Sequence, residues 1–349
     1  MSPERPHVAV VCDVDSSTGG PRLFRCLALA EELIGREVTV TFVCDPAEGG
    51  QAQAQLRARG LEAVAPTAVE KLPALLDRLG ARAVVVDSAT ASHGTYDAIR
   101  EAGRASLAIA DTRAEAGPAD VVVVPHAGAD EASAGGPTGG SVLAGVDYVL
   151  MRNDVLANRP ITAPRPGGVE IPAVTVVLDD ARSVTTLARV LAATGRPFSA
   201  TFLTSVPDAA AAADRVRLAP RQQIEVAEPG WKVHQQVARA DLVLTTPTPA
   251  TYEWLCLGSA VGLAWVDEDS VAMYKWLMVR RAVRGLGAVA DLADDPEAGT
   301  DKAARLLSDA RERERLADVA WHLVDGLGRA RVADVLLEMV SRSRRGTPG

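Results

Sequence analysis

The sequence predicts two doubly wound α/β domains in tandem, and three features carry that prediction. Short β-branched runs alternate with longer stretches of helical periodicity along most of the chain. The runs are apolar at successive rather than alternate positions, the pattern of parallel strands covered on both faces. The chain has 349 residues, which is long for one ordinary core and comfortable for two.

In the first half the strand candidates are HVAVVC (7–12), VTVTFVC (38–44), LEAVAP (61–66), ARAVVVD (81–87), ASLAIAD (105–111) and ADVVVVP (119–125). Between them, LFRCLALAEEL repeats leucine at helical spacing, and VEKLPALLDRLG ends on a glycine suited to a C-cap. A Gly/Ala/Ser stretch at 127–140 has no periodicity and is expected to be a mobile surface loop. The segment NRPITAPRPGGVEIP (158–172) holds four prolines and two glycines and reads as the linker. This gives an N-terminal domain over 1–157 and a C-terminal domain over 173–349. In the latter the strand candidates are AVTVVLD (173–179), FSATFLT (198–204), QQIEVA (222–227), ADLVLTT (240–246) and AVGLAWV (260–266). The tail from 296 to 344 reads as helices that close back over the first domain, with RERER (311–315) solvated and LADVAWHLV and VADVLLEMV packing inward. Ligands of such sheets bind beyond the C-terminal strand ends, so a cleft between the two sheets' C-terminal edges is the expected site.

Composition narrows the partners. A net charge of −8 without Lys/Arg blocks argues against nucleic acid or an anionic membrane. Cys12, Cys26, Cys44 and Cys256 have no CxxC spacing and sit in apolar stretches, as reduced core thiols do. No run approaches the roughly 20 apolar residues of a membrane helix, and MSPERPHVAVVC is unlike a signal peptide. A soluble, cytoplasmic protein is expected. No histidine and carboxylate spacing suggests a metal site, and no cofactor is implied.

The run GGPRLFRCLALAEEL resembles the GxGHxxRCLxLAxxL signature of the PseG and SpsG proteins, which are nucleotide-sugar hydrolases and spore-coat polysaccharide proteins of the GT-B fold. VVVDS (84–88), IADTR (109–113), GVDYVLMRNDV (145–155) and ATYEWLCLG (250–258) continue the likeness in order across both domains. It implies two Rossmann-like doubly wound domains in GT-B arrangement. It also implies hydrolysis of, or glycosyl transfer from, a nucleotide-activated sugar, with UDP as the expected nucleotide, in surface polysaccharide or secondary-metabolite sugar pathways. Substrate contacts are then expected at Arg22, Arg25, Asp87, Tyr148 and Arg152, and nucleotide contacts at Thr248, Ala250 and Glu253, the last toward the ribose. Asp111 and His126 follow strands at family positions near the substrate and are the candidates for moving protons.

The departures from the signature matter as much. Aligned on Arg25, the family's catalytic histidine falls on Arg22, and a guanidinium has no lone pair with which to take a proton. Arg22 and Arg25 could instead hold a carboxylate or phosphate, or pair with Asp13 and Asp15 to hold their own loop. Where a glycine pair should end the second domain's first strand, the chain has Leu178, Asp179, Asp180 and Ala181. Two carboxylates there repel a diphosphate unless a cation or Arg182 intervenes, and either could simply cap the helix that begins near Ser183. The family's GGST loop is replaced by Pro247, Thr248, Pro249 and Ala250, which removes amide donors but makes a sound helix start with Thr248 as N-cap. MYKWLMV, around Trp276, is apolar enough for a protein-contact face. A non-catalytic relative acting as a binding or partner subunit is therefore the alternative.

Overall fold

The computed structural model describes residues 5–14, 20–46, 50–129, 140–165, 167–230 and 232–345, and the chain forms two compact units. Unit 1 is Met1–Asn153 with Gly326–Gly349, and unit 2 is Asp154–Asp325. The division therefore does not follow the 1–157 and 173–349 spans expected from composition. Gly326–Gly349 groups with unit 1, and the described residues of 158–172 pack on unit 2. Among the described residues, no helix is long and apolar enough to cross a membrane.

Unit 1 holds seven parallel strands: β1 (His7–Cys12), β2 (Thr39–Val43), β3 (Glu62–Val64), β4 (Ala83–Asp87), β5 (Ala105–Ile109), β6 (Val121–Val124) and β7 (Ser141–Ala144). Their order is β3-β2-β1-β4-β5-β6-β7, so the winding reverses between β1 and β4. Its helices include α1 (Gly20–Gly35), α2 (Gln51–Ala58), α3 (Leu72–Leu79) and α4 (His93–Glu101). Both faces of the sheet are covered. Val8, Val10 and Val85 enter the core shared with α1, whereas Ala9, Val84 and Val86 enter the core shared with α3 and α4. This period-2 division, repeated on every inner strand, is why the strands read as continuous apolar runs. As its sequence indicates, α3 ends at Gly80, whose φ of 64° is the left-handed conformation of a glycine C-cap.

Burial on α1 goes beyond one face. Leu23, Cys26, Leu27, Ala30 and Leu33 face the sheet at i, i+3, i+4, i+7 and i+10 spacing, yet Ala28 and Leu29 are buried as well. The chain's last helix, Gly328–Arg345, supplies the extra cover through Val332, Ala333, Leu336 and Val340. An ionic network fixes this contact. Buried Glu31 on α1 pairs with Arg59 at 2.5 Å and Arg329 at 3.4 Å, and it accepts the Asn153 amide at 2.5 Å. Glu32 pairs with Arg329 at 3.1 Å and Arg36 at 2.8 Å, and Arg36 also pairs with Asp334. A carboxylate this buried is tolerated only while its partners are present.

Unit 2 holds six parallel strands: β8 (Ala173–Val177), β9 (Phe198–Leu203), β10 (Gln222–Ala227), β11 (Leu242–Thr245), β12 (Val261–Trp265) and β13 (Arg284–Ala288). Their order is β10-β9-β8-β11-β12-β13, with the reversal between β8 and β11. The helices begin with the one-turn α5 (Asn153–Leu156) and continue with α6 (Ala181–Ala193), α7 (Ala209–Asp214), α8 (Val233–Val237) and α9 (Ala250–Cys256). They end with α10 (Glu268–Val279), α11 (Val289–Asp294), α12 (Glu297–Ser308) and α13 (Ala310–Leu323), so Gly328–Arg345 is α14. All four cysteines are free and buried.

Two segments differ from their sequence reading. The Pro/Gly-rich stretch is not a loose tether. Arg159 donates to the carbonyls of Cys256, Val324 (2.9 Å) and Trp321 (2.8 Å), which lie at the C-terminal ends of α9 and α13. Trp321 Nε1 donates back to the Pro160 carbonyl at 3.0 Å, and Arg313 Nη2 donates to the Gly167 carbonyl at 2.9 Å. The prolines offer no amides of their own, so side chains of unit 2 do the fastening. RERER is not wholly solvated either: Glu312 and Arg313 are buried, Glu312 against Arg284 and Arg305, and Arg313 against the carbonyls of Leu306 and Leu307. The 127–140 loop falls mostly outside the described residues.

Glu31→Gln keeps the shape of the side chain but cannot satisfy two guanidiniums and an amide. It is expected to lower unfolding free energy by about 2 kcal/mol or more, measured by urea denaturation, whereas the exposed Glu338→Gln should change it by less than about 0.5 kcal/mol.

Candidate functional sites at the two strand-order reversals

In unit 1 the reversal between β1 and β4 gathers residues far apart in sequence. Cys12 lies in register with Asp87, and the Asp13 amide donates to the Asp87 carbonyl at 3.2 Å. The Asp87 side chain is fully buried and accepts from Arg25 Nε, from Arg25 Nη2 at 2.8 Å and from Arg22 Nη1 at 3.1 Å. Arg25 Nη1 then reaches Asp111 Oδ1 at 2.6 Å, and Arg22 lies 3.5 Å from Asp111 Oδ2. Two arginines one helical turn apart on α1 thus hold two carboxylates from two strand ends. The expected pairing with Asp13 is corrected here, because Asp13 is spent on Ser88 Oγ at 2.7 Å and the Ala89 amide at 2.6 Å. Asp15 lies outside the described residues.

The electrostatics follow from burial and pairing. Burial pushes the Asp87 carboxyl up, against the pull of the Arg25 and Arg22 guanidiniums. Partial burial also pushes Asp111 upward, but Arg25, Arg22 and His126 outweigh it and hold that carboxyl below its ordinary value. Asp111 is 57% exposed, so it is the carboxylate of the cluster that solvent reaches. A carboxylate held ionised in this way stabilises positive charge better than it collects a proton.

His126 joins the cluster in an unreactive pose. Its Nε2 faces the Asp111 carbonyl at 2.5 Å and its Nδ1 faces the Ala127 carbonyl at 3.1 Å, so both ring nitrogens are occupied by backbone. Tyr148 and Arg152 are placed elsewhere. Tyr148 packs against the core that α14 completes, and the Arg152 guanidinium lies over the Phe24 ring at 4.6 Å.

In unit 2 the reversal between β8 and β11 opens into a cavity of about 450 Å³. Its wall comes from the end of β8 (Leu178, Asp179), the residues after β9 (Ser205, Pro207), Pro229 after β10, and the β11–α9 connection (Thr246, Thr248, Ala250). Sequence reasoning found the β8 and β11 loops but missed Ser205, Pro207 and Pro229, which follow β9 and β10 and carry no motif. Two amides beside the cavity are taken by side chains of the protein itself. Asp180 caps α6, its Oδ1 accepting from the Ser183 amide at 2.8 Å. Thr248 does not cap α9 with its hydroxyl. Its amide donates to Thr251 Oγ1 at 3.2 Å and its carbonyl accepts the Thr251 amide at 2.9 Å, so the helix begins at Ala250. Pro247 and Pro249 have no amide to offer. Glu253 is half-buried in the first turn of α9 and does not line the cavity.

Other motif residues have structural roles. Gly258 ends α9 in the left-handed region (φ 71°), and a Cβ there would strike Pro164. The acidic turn before α10 is a capping box between Asp267 and Ser270. Trp276 is half-buried beneath the Arg280 guanidinium at 3.5 Å.

Two outcomes test the unit 1 cluster. Asp87→Asn leaves two guanidiniums against a neutral amide and is expected to cost about 3 kcal/mol, with a smaller cost in an Arg25→Met background; equal costs in both backgrounds would contradict the pairing. Asp111 has its pKa depressed by folding, so its contribution is complete above the ordinary value of 3.8 and disappears as pH falls through the lower folded value. Asp111→Asn should therefore destabilise at pH 7, by less than about 1 kcal/mol given its exposure, and leave stability unchanged in strong acid.

No protein-family model matches the sequence, and no curated protein matches it. Solved structures do. MurG of Acinetobacter baumannii is similar with a TM-score of 0.69 at 14% identity over 95% of this chain and 99% of that one. The glycosyltransferase of kitacinnamycin gives 0.65 at 17% over 97% and 100%. UDP-GlcNAc 2-epimerase from Neisseria meningitidis, solved with UDP-GlcNAc bound, gives 0.64 at 12% over 95% and 100%. At these identities the likeness is one of fold, and it identifies the chain as a pair of Rossmann-like doubly wound domains of the GT-B class.

Proposed function

We propose that this protein binds a nucleotide-activated sugar, UDP-linked, in the unit 2 cavity and acts on it by glycosyl transfer or hydrolysis, as a divergent relative of the PseG and SpsG proteins. The observation that carries the reading is the cavity itself. It lies at the strand-order reversal of a six-stranded parallel sheet, where such sheets receive nucleotides. The names of the structural neighbours, a UDP-GlcNAc-bound epimerase among them, support it. Thr248 and Ala250 line the cavity and would face the nucleotide, while Glu253 toward the ribose rests on the family likeness alone. In unit 1, Arg22 and Asp111 are cluster members that solvent reaches, and a substrate role for them rests on the family likeness; Asp87 and Arg25 hold them in place, and Tyr148 and Arg152 support the fold around them. His126 would have to leave the Asp111 carbonyl before it could move a proton.

A second reading, a non-catalytic binding or partner subunit, is favoured by one specific observation. The Ser183 and Thr248 amides beside the cavity and the His126 imidazole are already engaged with the protein's own atoms. Calorimetry with UDP, UDP-sugars and CMP-sugars, followed by assay of released nucleotide, separates the two. Micromolar binding with turnover is expected of the enzyme, and binding without turnover would support the subunit. No heat at millimolar ligand would contradict the nucleotide-sugar reading altogether. Arg22→His restores an imidazole at the family position and is expected to raise hydrolysis. A variant that binds nucleotide but stays inert would contradict a catalytic position at residue 22.

A further inference from the structure

We propose that the unit 2 cavity anchors the ligand's phosphates on the N-terminus of α6 and on the Thr246 hydroxyl, and not on the start of α9. The inference rests on the nucleotide-sugar reading and adds where in the cavity the anion sits. Two independent observations meet there. The first is that α6 is a 13-residue helix whose N-cap, Asp180, takes the Ser183 amide. The amides of Ala181 and Arg182, the first helical residues, make no hydrogen bond to another described residue, and Ala181 lines the cavity. Unpaired amides at the positive end of a helix dipole attract an anion.

The second observation is Thr246. Thr245 on β11 stands opposite Val177 on β8, so Thr246 follows beside Leu178, shortly before α6 begins. Thr246 is 2% exposed and lines the cavity, yet its hydroxyl makes no hydrogen bond among the described residues. It is the Thr246 carbonyl that accepts from Thr245 Oγ1 at 3.3 Å and from Thr251 Oγ1 at 3.2 Å. A hydroxyl this deep has given up hydration without a return, unless a ligand oxygen meets it.

The start of α9, where the family's GGST loop would stand, is the poorer anchor. Pro247 and Pro249 have no amide, the Thr248 amide is bonded to Thr251 Oγ1, and the Thr251 and Tyr252 amides are bonded to the carbonyls of Thr248 and Pro249. Only the Ala250 amide is left in that turn. α9 has seven residues and carries Glu253 in its first turn, whereas the first turn of α6 holds Arg182 and no acid. Asp179 in the same wall opposes an anion, but it is exposed and its charge is screened by solvent. Fixed amides and a buried hydroxyl at hydrogen-bond distance outweigh it.

The test is calorimetric titration of the full chain with UDP and with uridine, for the wild type, Thr246→Val and Ala181→Pro. Both substitutions suit the fold: valine matches threonine in shape, and proline is accepted at a first helical position that follows an extended residue such as Asp180. Each is expected to weaken UDP binding at least about fivefold while leaving uridine within about twofold, with thermal melts matching wild type. Thr246→Ser keeps the hydroxyl and should bind UDP as the wild type does. Variants that bind UDP as tightly as wild type overturn the anchor on α6 and leave the nucleotide reading in place. Uridine weakened as much as UDP overturns the assignment of these groups to the phosphates. Absence of UDP binding by the wild type at millimolar ligand overturns the nucleotide reading, and the anchor with it.

Discussion

The buried Asp87 carboxylate is the constraint around which the N-terminal unit is arranged. It ends β4 at the strand-order reversal with no solvent exposure, where a bare charge would cost several kcal/mol. Arg25 and Arg22 must therefore come to it, which fixes the first turns of α1 over the sheet and draws Asp111 in from the next strand end. The positive side chains on the first turns of α1 are neutralised by carboxylates of the protein itself. Two guanidiniums against two carboxylates leave little unsatisfied charge to capture an anion.

The C-terminal unit uses the same topology with the opposite balance. Its reversal is open, forms a cavity, and carries a carboxylate with no counter-charge in the wall. Asp180 and Thr251 have taken amides that would otherwise face that space. The two sheets share a strand order, but one has closed its ligand-binding edge with internal ion pairs and the other has left it unfilled. The fold sets where a ligand would lie; the residues at that edge decide which ligand it is.

Much of the fold was legible because parallel strands buried on both faces must be apolar at every position, and β-branched runs such as VVVV in β6 have few other uses. The strands that escaped notice break that rule. β7 is a four-residue edge strand with an exposed serine, and β13 reads RGLGA, whose Gly285 is needed because Tyr274 and Met278 pack where a side chain would stand. The arginines of α1 were legible as anion-seekers, but their partners were not. Asp13 is near in sequence, whereas Asp87 and Asp111 are near only once the sheet has formed. The proline-rich stretch misled for a related reason, since composition reports missing amides and not the side chains of Trp321 and Arg313 that grip it from elsewhere. In the cavity, the loops with motif residues could be found, and Ser205, Pro207 and Pro229 could not, because topology alone brings them there.

The central claim is that ligand binding belongs to the open edge of the second sheet while the first sheet's edge is electrostatically complete. Hydrogen exchange of the full chain with and without saturating UDP tests it most directly. Slowed exchange at 177–184, 203–207 and 245–251, with 20–26, 87–90 and 110–112 unchanged, is the predicted pattern. Protection centred on the segments around Arg22, Asp87 and Asp111, with none around Asp179 and Thr248, would contradict it.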